Sequence, residues 1–291
     1  DGIRDLVRSR GLGDVYKRQE KYCVADDGTD VFPGIETGHL CRDIDAGNYE
    51  YASYSFFDYK MSIAGREDNI FVGGLTGIRT MNIKPEGYLG MGSFTFAGHV
   101  TDIAIYGNRL FAAAIDRVVE YEILQNGSLK RNRVVYVKGC RNIRIEGRYL
   151  FAGMNGRVSV YDISDGKMTL VRNIPVQNNV EALEVSNGHL YVYHEKGWWF
   201  WKKNAFTKIN VKDINSPAVV GNRNMECINA EMVKDGSHVY LGCNNGLFRM
   251  EKDDNEPVLE NVNGRKKYFR DSYVYEGIIY TVHSGRLFMS R

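Results

Sequence analysis

The chain has 291 residues, and its 38 basic and 36 acidic residues leave a formal net charge of only +2 at pH 7. This balance gives no electrostatic support to nucleic-acid binding, and no apolar run approaches the roughly 18 residues of a membrane-spanning helix. The five cysteines are odd in number and lack CxxC spacing, so the sequence predicts neither a disulfide framework nor a zinc site.

Residues 1–19 do not share the pattern of the remaining chain. They are rich in arginine, and the run RDLVRSRGLGDVYKRQ that begins at Arg4 resembles the translated sequencing-adapter read-through found at the ends of assembled metagenomic genes. We therefore expect a non-native or disordered leader at residues 1–19, with the native N-terminus missing, and a single domain at residues 20–291.

Residues 20–57 allow two interpretations. They can form a degenerate first repeat whose outer strand is YASYSFF at residues 51–57, which gives seven repeats. Alternatively, residues 51–57 complete the last repeat and pair the two ends of the chain, which gives six repeats and leaves residues 20–47 as a lead-in. Both counts stay open at this point, with seven preferred.

From residue 59 onward one pattern recurs. Its leading aromatic residues are 40 residues apart, with a single spacing of 49, and they are Phe71, Phe111, Phe151, Tyr191, Tyr240 and Tyr280. A turn signal and a short alternating run precede each aromatic, and a second turn and an apolar run follow it. Each repeat therefore predicts three strands joined by turns, with a looser segment such as residues 169–176 as the fourth.

The repeat length predicts the fold class. A four-stranded sheet of about 40 residues cannot bury both of its faces alone, so it must pack against its neighbours. Repeats of about 40–45 residues with four strands are typical of a β-propeller. We predict an all-β protein, a β-propeller of six or seven four-stranded blades; an open β-solenoid is the alternative.

Two segments resemble known propeller repeats. The motif DISD at residues 162–165, followed by VEALEVSNGHLYV at residues 180–192, resembles the LVIVD-type repeat of bacterial surface proteins. Residues 235–249, DGSHVYLGCNNGLFR, are similar to the sensor-propeller repeat of hybrid two-component regulators, with Tyr240 in place of its Trp and Cys243 in place of its Thr. Both resemblances imply extracytoplasmic binding or sensing, and neither contributes catalytic residues.

Polar residues recur where the first strand of each repeat begins. This position holds Ser62, Asp102, Asn142, Ala182, Asn229 and Asp271. In a propeller it opens onto one face near the axis, so we predict a ligand-binding axial mouth made of Asp102, Asn142, Arg141, Glu181, Asn229, Arg270 and Asp271. The alternative is that these short side chains satisfy nearby backbone groups.

No catalytic, metal or cofactor site is predicted. Three successive repeats carry His194, Cys243 and His283 at one position, but packed sheets lie about 10 Å apart, too far for residues that share one zinc ion. No nucleophile elbow, zinc-protease, P-loop or dinucleotide motif occurs.

These observations predict a non-enzymatic ligand- or protein-binding or sensing module, located in the periplasm or at the cell surface. Its partner would be a protein, a peptide or a small polar or glycan ligand on one face of the disc, and not a nucleic acid. Two alternatives stay open. One is a hydrolase or lyase acting on a glycan, with Asp102 and Asp271 as the acid/base pair; the other is a cytoplasmic protein-interaction scaffold.

Overall fold

A computed structural model describes residues 38–39, 53–55, 62–83, 89–196, 203–225, 227, 230–235, 238–243, 246–250, 260–261, 272–275, 278–283 and 286–290. Every regular element in this part of the chain is a β-strand, so the predicted all-β class is confirmed. Within the same residues, no helix is long and apolar enough to cross a membrane. The expected leader at residues 1–19 lies outside the described residues.

The strands form antiparallel sheets, and most neighbouring strands in a sheet are also consecutive in the chain. The first two strands in the described part of the chain are short, namely β1 (Gly38–His39) and β2 (Ser53–Ser55). A four-stranded sheet follows, made of β3 (Ser62–Arg66), β4 (Asn69–Gly73), β5 (Gly77–Ile83) and β6 (Leu89–Phe96). The next has the same order, with β7 (Val100–Tyr106), β8 (Arg109–Ala114), β9 (Arg117–Ile123) and β10 (Leu129–Tyr136).

A six-stranded sheet combines two repeats because one long strand serves both. It consists of β11 (Asn142–Glu146), β12 (Tyr149–Asp162), β13 (Thr169–Ser186), β14 (His189–Lys196), β15 (Lys203–Asn210) and β16 (Ala218–Asn224). The first part of β13 pairs with β12, and its second part pairs with β14. Asn187 and Gly188 join β13 to β14 with φ values of 53° and 70°, as a type I′ hairpin turn requires.

The last two sheets differ in how they end. One contains β17 (Glu231–Asp235), β18 (His238–Cys243), β19 (Gly246–Met250) and β20 (Glu260–Asn261). The other contains β21 (Ser272–Tyr275), β22 (Ile278–His283) and β23 (Arg286–Ser290). Strand β23 then pairs with β2, so that strands from the two ends of the described chain share one sheet.

The hydrophobic core lies between successive sheets. All six leading aromatic residues are on the second strand of their repeat, namely β4, β8, β12, β14, β18 and β22. Phe71 packs against residues of the next repeat such as Val100 and Ile103. Phe111 likewise packs against Ile143 and Leu150. Each repeat therefore buries its apolar face against its successor, as expected for sheets too small to form a core alone.

Candidate functional site

The first strands of the repeats lie side by side. Strand β21 contacts β3, β3 contacts β7, β7 contacts β11, β11 contacts β13, and β13 contacts β17. We call the side on which these strands begin the upper face. Because each repeat is an antiparallel meander, its upper face also carries the turn between the second and third strands and the end of the fourth strand.

Asp102 at the start of β7 connects two repeats. Its Oδ1 accepts a hydrogen bond from the amide of Ile103 at 2.9 Å, and its Oδ2 accepts one from the amide of Ile143 in β11 at 2.8 Å. The side chain is buried. This carboxylate therefore satisfies a main-chain donor in the neighbouring sheet instead of pointing freely into a solvent-filled mouth.

Arg144 extends the connection across four repeats. Its Nη1 lies 2.6 Å from Asp102 Oδ2, and its Nε lies 3.1 Å from Glu184 Oε2. Nη2 donates to the carbonyl oxygen of Met232 in β17 at 3.3 Å. The exposed fractions of the three charged side chains are 15%, 5% and 9% for Arg144, Asp102 and Glu184. One half-buried cation thus holds the buried carboxylates of β7 and β13 and the backbone of β17 together.

Asn142 makes an equivalent connection one repeat further along. Its Nδ2 donates to the carbonyl oxygens of Val180 and Glu181 at 3.1 and 3.2 Å. Arg141 and Glu181 flank these contacts, and the Arg141 side chain is exposed whereas Glu181 is half-buried. The structure therefore places Asp102, Arg141, Asn142 and Glu181 on the upper face, where Asp102 and Asn142 bind main-chain groups of the neighbouring sheet.

The strand register assigns a different residue to one position of the predicted ligand-binding site. The residue opposite Asp102 is Ala113, two positions after the leading aromatic, and the matching pair in the fifth repeat is Glu231 and Gly242. Glu231 thus occupies the position that we had assigned to Asn229 from sequence. Asn229, Arg270 and Asp271 lie outside the described residues.

Sequence reasoning missed Arg144 and Glu184. Each lies two positions after the residue that begins a first strand, Asn142 or Ala182, so strand alternation places it on the same side of the sheet as that residue. The matching residues in the first two repeats are Ala64 and Ala104. The sequence did contain a signal for these two residues, because Arg144 and Glu184 are charged at a repeat position where the first two repeats have alanine.

The rim of the upper face carries exposed positive charge. Arg117 begins β9, Lys138 lies in the turn from β10 to β11, Arg141 precedes β11, and Arg157 follows the bend in β12. All four side chains are exposed, and no carboxylate in the described part of the chain forms an ion pair with any of them. The near-neutral chain thus has a local excess of cations here, which the net charge conceals.

The histidine and cysteine residues were also candidates for a metal site. Within the described ranges no three His, Cys, Asp or Glu residues are arranged to hold a metal ion. His194, one of the three candidates weighed for zinc, is buried with its Nε2 2.9 Å from Thr207 Oγ1.

Two cysteines have different states. Cys140 is free and fully buried, and burial raises the pKa of its thiol, with the negative charge of Asp102 adding to the effect. Cys227 is also buried, but it is disulfide-bonded, which the cysteine spacing did not predict.

We expect Cys140 to resist alkylation in the folded protein, because the thiolate that reacts is suppressed and inaccessible. Iodoacetamide at pH 8 should leave the peptide containing Cys140 unmodified in mass spectra of the native protein and should modify it fully in urea. Fast labelling under native conditions would contradict this prediction.

No family model matches the chain, and no curated protein matches it. Among solved structures, the chain is similar to the crystal structure of a "putative 6-phosphogluconolactonase" from Bacteroides uniformis ATCC 8492, at 14% identity and a TM-score of 0.55. That match covers 82% of this chain and 84% of the other, and it concerns the fold. A computationally designed protein, Ika8, has 12% identity and a TM-score of 0.47, covering 78% of this chain and 82% of its own.

Proposed function

We propose that these sheets are the blades of a six-bladed β-propeller. The six-stranded sheet counts as two blades, because β13 supplies the fourth strand of one and the first strand of the next. The pairing of β2 with β23 favours six over seven, since it completes the last blade with a strand from the other end of the chain. The successive contacts from β21 through β17 support a radial arrangement of first strands.

The propeller acts as a non-enzymatic binding module that holds an anionic ligand on its upper face. The single observation that carries this proposal is the set of four exposed cations, Arg117, Lys138, Arg141 and Arg157, without carboxylate partners in the described chain. Uncompensated charge of one sign attracts ligands of the opposite sign. Asp102, in contrast, is neutralised by Arg144 and two amides, a poor starting point for acid/base catalysis.

The disulfide-bonded state of Cys227 supports a location outside the cytoplasm. Disulfides persist in oxidising compartments and are rare in the cytosol, so the bonded state of Cys227 favours the periplasm or the cell surface. This agrees with the extracytoplasmic families that the repeats resemble.

Charge reversal at the rim tests the binding proposal. We expect fluorescein-labelled decaglutamate to bind the wild-type protein with an affinity that falls about five- to tenfold in Arg141→Glu and in Arg157→Glu, because each change removes one attraction and adds one repulsion. Fluorescence anisotropy in low and physiological salt would measure this loss, which should shrink as salt rises.

Lys167→Glu is the matched control. It makes the same charge change at an exposed residue in the turn that follows β12, on the opposite side of the repeat, and it should leave the affinity within about twofold. Equal losses in all three variants would indicate a general charge effect, and no charge-dependent binding by the wild-type protein would refute the proposed function.

A further inference from the structure

Two aromatic side chains on the upper face are far more exposed than the core pattern requires. Phe96 is 78% exposed and Tyr136 is 75% exposed, whereas Phe71 and Phe111 are fully buried. Phe96 ends β6 and Tyr136 ends β10, so they occupy the same position in adjacent repeats, 40 residues apart. Ile115, in the turn between β8 and β9, is 55% exposed on the same face.

Arg117 lies between Tyr136 and the strand end that carries Phe96. It lies directly opposite Tyr136 in the pairing of β9 with β10, so the two exposed side chains are neighbours on one side of the sheet. Its Nη2 also donates to the carbonyl oxygen of Ala97, the residue after Phe96, at 3.4 Å. We call Phe96, Ile115, Arg117 and Tyr136 the aromatic patch.

The backbone beneath the aromatic patch is held in place. Asp116 adopts a positive φ of 69°, and its Oδ1 accepts a hydrogen bond from the amide of Gly139 at 2.7 Å. Its carbonyl oxygen accepts another from the amide of Val137, the residue after Tyr136, at 2.9 Å. The turn and the strand end are therefore cross-linked, so that a ligand meets a surface that needs little ordering on binding.

The residue types of the aromatic patch indicate which kind of partner binds there. Exposed Tyr and Phe beside Arg are the residues enriched in protein interfaces and among their hot spots. An aliphatic side chain among them favours a partner with its own apolar side chains over a sugar, which would use the aromatic rings alone. The neighbouring cations Lys138 and Arg141 require that partner to be acidic.

We infer that the aromatic patch docks an acidic segment of a partner protein whose apolar side chains pack on Phe96 and Tyr136. This inference rests on the proposed function, because it names the partner that the cationic upper face binds. The carboxylates of the segment face Arg117 and the adjacent cations, and its apolar side chains cover the two rings.

Three probes of matched negative charge test the inference. The first is a labelled twelve-residue peptide with six glutamates and two leucines, the second replaces both leucines with serine, and the third is an oligogalacturonate. We expect the leucine peptide to bind at least about tenfold more tightly than the other two, because only it covers the aromatic rings. Phe96→Ala and Tyr136→Ala should each remove most of this difference while leaving the thermal midpoint unchanged.

Leu170→Ala is the matched control. Leu170 is 50% exposed near the start of β13, at the opposite end of a fourth strand, and the variant should bind all three probes as the wild-type protein does. Equal affinity for both peptides, or a leucine preference that survives in Phe96→Ala and Tyr136→Ala, would overturn the inference and leave anion binding intact. Tighter binding of the oligogalacturonate would assign the patch to a glycan and would also overturn it. Loss of charge-dependent binding for every probe would instead refute the proposed function.

Discussion

Replacing Arg144 with alanine should lower the free energy of unfolding by about 3–5 kcal/mol, because removal of one partner leaves buried charge uncompensated. Two carboxylates lose their cation at once, since Arg144 lies 2.6 Å from Asp102 and 3.1 Å from Glu184. The carbonyl oxygen of Met232 loses a donor as well. Urea denaturation followed by tryptophan fluorescence, with the m-value compared to exclude a change of mechanism, would measure the effect.

Arg148→Ala provides the comparison. Arg148 forms an ion pair with Asp162 at 3.2 Å, but its side chain is 57% exposed and that of Asp162 is 22% exposed. Solvent screening weakens such an exposed pair, so Arg148→Ala should destabilise the protein far less than Arg144→Ala. Similar losses in Arg144→Ala and Arg148→Ala would contradict the view that Arg144 holds the first strands of four repeats together.

Phe111→Ala should cost about 3–5 kcal/mol of unfolding free energy, the range for truncating a buried phenylalanine and leaving a cavity. Phe111 is fully buried, and its ring packs with Val118 of its own repeat and with Ile143 and Leu150 of the next. The guanidinium of Arg109 lies 4.9 Å from the centre of the same ring. The mutation therefore removes contacts on which two repeats depend.

Phe96→Ala is the control for this prediction, because it makes the same truncation at a side chain that is 78% exposed. Its unfolding free energy should stay within about 0.5 kcal/mol of the wild-type value. Thermal and urea unfolding of both variants would show whether the repeat position or the residue type determines the loss. A large loss in Phe96→Ala would indicate that this ring is covered in solution.

The elements and their spacing could be predicted from the amino-acid sequence alone. Strand alternation and turns are local properties, so the recurrence of the leading aromatics identified the second strand of every repeat, and with it the all-β class. The same period located Asp102, Asn142 and Arg141 at the beginning of first strands, where the structure has them. It also set out six repeats as one possibility, with residues 51–57 pairing with the end of the chain.

The contacts that these residues make depend on the tertiary fold. Asp102 meets Arg144, and Arg144 meets Glu184, across about 40 residues of chain each time. No local pattern encodes such a contact, because it depends on how neighbouring sheets are placed. Register corrected Asn229 to Glu231 for a similar reason: strand pairing, not the distance from a motif, sets which residues face each other.

The exposure of a side chain also depends on the tertiary fold. Phe96 and Phe111 are both phenylalanines within β-strands, so residue type alone does not predict their different exposure. Phe111 is buried because the following sheet covers the second strand of its repeat. Phe96 is exposed because no sheet in the described chain covers the upper end of β6. The repeat spacing and the strand alternation can therefore be read from the sequence. The burial and pairing of a given side chain depend instead on which sheet lies next to it in the fold.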